Sequence, residues 1–279
     1  MIRLGVCIGP ERAEQATRIG FDYIEMNLST TAALSEEDYT KALDTVLSSP
    51  IRAEAFNTMI PAEYPLTGPD VNLDAVQKYL DKAIPRAASF GAKVIVFGSG
   101  GARRVPERWN ADVAWAQLIA FLRMCLPILN TYGVTLAIEP LRREETNIIH
   151  TVREGAALAA AASYPFEGEN RFASNKPRDE NVNRVIGVLG DTYHMVSVGE
   201  PYSAFVEAAK YLMHVHTAEA VTRVYPSPND GTDYNGLFAA LKIAGYNGRV
   251  SIEGMTDDFD ADAPKALAVL KEARDNTYK

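Results

Sequence analysis

The chain has 279 residues, 47% of them hydrophobic and 23% charged, a composition that can bury a full core and does not resemble a disordered tail. Lys and Arg number 28 against 36 Asp and Glu, a net charge of −8, and an acidic surface repels phosphate backbones and anionic headgroups, so no nucleic-acid and no membrane partner is expected. Two cysteines, Cys7 and Cys125, neither in a CxxC pair, exclude a disulfide framework and a thiolate zinc site. MIRLGVCIGPE has too short an apolar run for a signal peptide, and no stretch is expected to reach the roughly 20 apolar residues of a membrane span, which predicts a cytoplasmic protein.

In chain order, eight short apolar or β-branched runs read as strands: 2–8 (IRLGVCI), 22–27 (DYIEMN), 51–57 (IRAEAFN), 93–98 (KVIVFG), 134–139 (VTLAIE), 186–191 (IGVLGD), 212–216 (LMHVH) and 249–253 (RVSIE). Helical spacing or Ala-rich composition follows each, over 10–19, 35–48, 72–90, 112–132, 151–162, 202–210, 235–244 and 262–275. Ser35 with Glu37 and Asp38, and Asn72 before LDAVQKYL, are helix starts. Gly20, Gly91, Gly133 and Gly245 each stand where a helix hands over to a strand, where a left-handed residue is useful. Eight strand–helix units predict a (β/α)8 TIM barrel, α/β in class and a single domain over 1–279. A doubly wound sheet is the alternative, but Gly9-Pro10 is not the glycine-rich opening it requires, and GSGGAR at 98–103 lacks the dinucleotide-binding spacing. One segment, 163–184 (SYPFEGENRFASNKPRDENVNR), shows neither period and reads as an irregular insertion between the fifth helix and the sixth strand. Preceding a strand, it is expected at the N-terminal face of the barrel as a surface excursion or subunit contact; the chain is expected to form a homo-oligomer.

Barrel chemistry sits at the C-terminal strand ends. Here the fifth strand closes on Glu139, the sixth on Asp191, the seventh on His216 and the eighth on Glu253. Each follows an apolar run, where an unpaired carboxylate would cost several kcal/mol. Separate salt bridges would satisfy each one singly; a divalent cation satisfies all four, and three carboxylates with one imidazole suit Mn²⁺, with Mg²⁺ and Co²⁺ as alternatives. Glu25, Asn27, Asn57, Glu145, His194 and Arg223 gather near the same rim. His150 reads as a helix-capping or surface residue, and His214 is expected to turn away from His216 into packing. Arg103 and Arg104 read as surface charges or partners of nearby acids rather than as anion binders.

IEPLRREETNIIHTV at 138–152, GDTYHM at 190–195, HVHTAE at 214–219 and YNGRVSIEG at 246–254, with EAFNTMIP at 54–61 and VFGSGGARRVPE at 96–107, resemble the sugar isomerase and epimerase superfamily with the xylose-isomerase-like barrel. The resemblance spans the chain apart from 163–184 and is greatest to the branch of ketose 3-epimerases, hydroxypyruvate isomerase and inosose isomerase. It implies one Mn²⁺ or Co²⁺ held by Glu139, Asp191, His216 and Glu253, with Glu139 and Glu253 also acting as acid and base. It further implies substrate contacts from Glu145, His194 and Arg223, the last following His216 by seven residues where the family has six; Asn57 joins them from its place on the rim.

The expected function is divalent-metal-dependent epimerisation or isomerisation of a small ketose or related polyol ketone through an enediolate. A cation stabilises the enediolate charge, and a carboxylate over the carbon moves the proton. The alternatives are a metal-dependent lyase or dehydratase on a keto-sugar, including the type that cleaves C-glycosides, and a non-catalytic barrel subunit. An endonuclease of the same superfamily needs a three-metal cluster with more histidines than the four present.

Overall fold

A computed structural model describes residues 1–163 and 184–278. Eight parallel strands close into a barrel in sequence order: β1 (Arg3–Cys7), β2 (Tyr23–Asn27), β3 (Ala53–Asn57), β4 (Val94–Phe97), β5 (Thr135–Ile138), β6 (Ile186–Asp191), β7 (Leu212–Thr217) and β8 (Arg249–Ile252). The last strand returns to the first through Arg3↔Arg249, Leu4↔Val250, Gly5↔Ser251 and Val6↔Ile252. This is a (β/α)8 TIM barrel. The insertion read at 163–184 lies almost wholly outside the described residues.

Around the barrel run α1 (Ala13–Ile19), α3 (Glu36–Ser48), α4 (Leu73–Ser89), α6 (Ala111–Tyr132), α7 (Val152–Ser163), α9 (Ser203–Glu207), α10 (Tyr234–Ile243) and α11 (Phe259–Thr277), once the short α2 (Leu28–Ala33), α5 (Gly100–Arg103) and α8 (Thr192–Ser197) at the mouth are set apart. The expected starts are capped: the Ser35 hydroxyl accepts from the Asp38 amide at 3.1 Å and the Asn72 side chain from the Ala75 amide at 3.0 Å. Gly20, Gly91, Gly133 and Gly245 all have positive φ, between 63° and 104°, a region closed to most side chains. One expectation does not hold, because by length and composition α6 reaches membrane-span size, with 22 residues and a mean hydropathy of 1.5 over an 18-residue stretch. Leu118, Phe121, Leu122, Cys125 and Leu129 bury one of its faces against the barrel, where the Phe121 ring lies 5.1 Å from that of Phe97.

Two cores result. The larger lies between strands and helices, and the smaller inside the barrel, where Tyr23, Ala55, Val94, Val96, Ala137 and Leu189 pack together. Residues two apart on a strand share a face. Counting upward from this inner layer, Ala137 leads to Glu139, Leu189 to Asp191, Ala55 to Asn57 and Tyr23 to Glu25, so pleat parity aims a polar side chain inward at each upper rim. Gly5 belongs to the same layer. A Cβ there would overlap the Tyr23 ring, so the missing side chain makes room for it.

Candidate metal centre and active site

Glu139, Asp191, His216 and Glu253 each offer one ligand atom within 4.8 Å of the other three. His216 Nδ1 lies 3.2 Å from Glu139 Oε1 and 3.1 Å from Glu253 Oε2. Asp191 divides its work: Oδ1 accepts from the Tyr193 amide at 2.7 Å and caps α8, while Oδ2 is buried with no hydrogen-bond partner. Arg223, with Nη2 3.8 Å from Asp191 Oδ2, only partly compensates three buried carboxylates, and a bound cation would complete that compensation. The donor set therefore fits a divalent ion, with three hard oxygens and one imidazole nitrogen.

The other expected residues lie above this group. Asn57, Glu139, Glu145, His194, Arg223 and Glu253 line a cavity of about 370 Å³ at the mouth. Arg223 Nη2 is 2.6 Å from Glu253 Oε2 and 3.8 Å from Asp191 Oδ2, and its Nη1 is 3.5 Å from Glu145 Oε1. Its ring neighbour is Tyr193, which Arg142 also faces, at 5.1 and 5.0 Å from guanidinium to centroid. Asn57 donates from Nδ2 to Glu253 Oε1 at 3.0 Å, so in this structure its amide orients a carboxylate. His194 Nδ1 accepts from the Arg142 amide at 3.4 Å, which leaves the hydrogen on Nε2. That Nε2 is buried without a partner, 3.7 Å from Asp191 Oδ2 and 4.0 Å from Glu145 Oε2.

The two glutamates are driven apart electrostatically. Burial and the Glu253 charge push the Glu139 carboxyl above its ordinary range. Burial would do the same to Glu253, but His216 and Arg223 outweigh it and hold that carboxyl low. Gly98 leaves the space that Glu139 occupies, since a Cβ there would overlap Oε2. That close approach, rather than phosphate binding, accounts for the first glycine of GSGGAR.

Three expectations are corrected. His214 does not face away from His216: a two-residue step on a strand returns to the same side, and the rings stand 5.0 Å apart inside the barrel. His150 neither caps nor lies on the surface; it is buried, with Nδ1 donating to the Leu141 carbonyl at 2.9 Å, while Thr151 and Glu154 cap the helix reciprocally, the Thr151 hydroxyl accepting from the Glu154 amide at 3.2 Å and Glu154 Oε2 from the Thr151 amide at 3.1 Å. Arg103 is fully buried and donates to the carbonyls of Phe97 at 3.1 Å and Glu139 at 2.7 Å, tying together the ends of β4 and β5. Arg104 stays exposed, its Nη2 donating to the Glu145 carbonyl at 3.0 Å.

Sequence reasoning placed Glu25 at the rim without a partner. It is fully buried, with Oε1 2.9 Å from His216 Nε2 and Oε2 2.9 Å from His214 Nε2. Burial alone would raise its carboxyl, but the two imidazoles hold it well below the usual range. The available signal was parity, because Glu25 is one step above Tyr23 and level with the inward members of neighbouring strands. Cys7, Glu25 and His216 form a second group of ligand-type atoms. Both Glu25 oxygens there are already engaged, and burial and the Glu25 charge keep the Cys7 thiol protonated.

The parallel barrel gathers three carboxylates and a histidine at the C-terminal ends of its last four strands. The chain belongs to the xylose isomerase-like TIM barrel family, whose model matches residues 13–273. The ketose 3-epimerase of Arthrobacter globiformis is 28% identical over 142 residues, 50% of this chain and 42% of that protein, so the match spans less than half of the relative. The D-psicose 3-epimerase of Clostridium cellulolyticum H10, determined with D-tagatose, superposes with a TM-score of 0.80 at 18% identity over 98% of this chain and 99% of that one. The D-allulose 3-epimerase of Methylomonas sp., in complex with D-allulose, gives 0.79 at 21% identity over 98% and 97%. At these identities the likeness to solved structures is one of fold.

Proposed function

We propose that the chain is a divalent-metal-dependent epimerase or isomerase of a small, unphosphorylated ketose or related polyol ketone. The observation that carries this reading is the convergence of Glu139, Asp191, His216 and Glu253 within 4.8 Å, with Asp191 Oδ2 buried and without a hydrogen bond. Those four residues would hold the cation, with Mn²⁺ favoured by the donor set. When bound, the ion supplies Lewis-acid stabilisation of the negative charge that develops when a proton leaves the carbon beside a carbonyl.

The chain's own residues supply the rest. Glu139 and Glu253, the two glutamates that converge on the site from β5 and β8, are suited to take the proton and return it. Return to the opposite face of the same carbon gives an epimer; return to the neighbouring carbon gives an aldose–ketose pair. His194 presents Nε2–H to a substrate oxygen, and Glu145 with Arg223 brackets the hydroxyls on the other side. Asn57 holds the Glu253 carboxylate through its Nδ2–H to Oε1 hydrogen bond. The ketose 3-epimerase relative and the family membership support the substrate class.

The experiment is a proton NMR screen in deuterated water, with protein made in Mn²⁺ and assayed in Mg²⁺, against ketoses, their phosphates and inososes. Deuterium beside the carbonyl of a free ketose or inosose, with formation of its epimer or isomer, is the expected result. Exchange confined to phosphorylated sugars overturns the substrate class. Bond cleavage or water loss replaces the reading with a lyase, and metal binding without any turnover replaces it with a binding barrel.

A further inference from the structure

Below the proposed centre, the barrel interior holds a line of hydrogen bonds that proton transfer does not use. Glu25 accepts from two imidazoles at once, His216 Nε2 on Oε1 and His214 Nε2 on Oε2, both at 2.9 Å. The Ser251 hydroxyl lies 3.3 Å from His214 Nε2 and 2.8 Å from the Tyr23 hydroxyl. Beneath it, the guanidiniums of Arg3 and Arg249 stand 5.8 and 6.0 Å from the Tyr23 centroid, and both pair with Glu54. Glu25, His214, His216, Ser251 and Tyr23 all have zero exposure, so water does not compete for these bonds.

The hydrogen inventory of this line decides a tautomer. An ionised carboxylate only accepts, so each imidazole that meets Glu25 must bring its own hydrogen on Nε2. A neutral imidazole carries one ring hydrogen, and with that hydrogen on Nε2 the lone pair is left on Nδ1. In His216 that atom faces Glu139 and Glu253, at 3.2 and 3.1 Å, where the carboxylates favour a second hydrogen on Nδ1 that a bound cation would displace. In His214 it is buried without any partner, so that ring is held through Nε2 alone. His214 therefore fixes the second oxygen of Glu25 rather than serving the centre directly.

We propose that Glu25 is a positioning residue for the cation: seated by His214, its carboxylate holds His216 in the Nε2–H form and presents the bare Nδ1 as the ligand. The inference rests on the metal-centre reading given above, and adds to it the group that sets one ligand's tautomer and ring orientation. Partners of this kind typically change metal affinity by about 10- to 100-fold when removed. A glutamine does not substitute for Glu25. One of its two ends is an amide N–H donor, so one imidazole loses its acceptor, and the charge that polarises the His216 ring is gone.

The test is calorimetric titration of Mn²⁺ alone into wild type, Glu25→Gln and Glu25→Leu, with thermal unfolding run on each. Wild-type binding with affinity lower by about 10-fold or more in both folded variants is expected. In parallel, nitrogen-15 spectra of the imidazoles in the Mg²⁺-loaded wild type should place the His216 hydrogen on Nε2. Both variants binding Mn²⁺ as wild type does, or a His216 hydrogen on Nδ1, overturns the proposal while leaving the metal centre intact. A wild type that binds no divalent ion overturns the centre itself and the proposal with it. Should the variants fail to fold, the wild-type tautomer decides alone.

Discussion

The inside of the barrel has two unlike halves. Along β3 to β6 the inner layer is Ala55, Val94, Val96, Ala137 and Leu189, small and apolar; along β7, β8, β1 and β2 it is His214, Ser251, an empty place at Gly5, and Tyr23, with Glu25 above. Both halves are buried, but burial does different work in each. The apolar half needs no partners and stabilises by packing and by area removed from water. In the polar half a hydroxyl, imidazole or carboxylate left unpaired would cost free energy, so each one constrains the next. Stability and orientation are thus built on opposite walls of one cylinder.

That division can be broken experimentally. The largest effect is expected from removing the cation: dialysis against a chelator should abolish substrate hydrogen exchange and Mn²⁺ should restore it, with His216→Ala behaving like the stripped protein. Next come Glu139→Gln and Glu253→Gln, each expected to lower kcat by about 10² to 10⁴-fold, read as deuterium incorporation from solvent. On the apolar wall, Leu189→Ala should cost about 2 to 5 kcal/mol in denaturant unfolding while Mn²⁺ affinity stays near wild type. A large loss of affinity in that variant would mean that the walls are not separable. The smallest change is Tyr23→Phe, which removes one buried hydrogen bond and is expected to cost about 1 kcal/mol of stability by the same measurement.

The strands were legible because each is a short apolar run closed by a turn, and the helix starts because Ser35 and Asn72 are capping residues. The short α2, α5 and α8 were not. They have four to six residues each, too few for a periodic signal, and two of them depend on a cap supplied by the last residue of a strand, Asn27 and Asp191. Strand-end polarity pointed to Glu139, Asp191, His216 and Glu253, whose convergence depends on barrel closure, which no local pattern encodes. Glu25 lay in plain view as an acid within YIEMN, but its partners are 189 and 191 residues away. His214 was misplaced by a parity error, and Arg103 by taking a charged residue beside a second arginine to be exposed. Its buried place follows from the carbonyls of Phe97 and Glu139 that β4 and β5 bring together, which only the assembled barrel reveals.

Gly5 sets a limit on how this barrel tolerates change. A side chain contributes by what it touches, but position 5 contributes a volume that another strand's ring occupies, so its role has no signature in residue chemistry. The loops at the mouth are free to vary in length and polarity without disturbing that volume. A single methyl on β1 is not equivalent, because it displaces Tyr23, and with it Ser251 and the seat of His214. A residue with no functional group thus sets the room that a buried hydrogen-bonded line needs, deep under the mouth of the barrel.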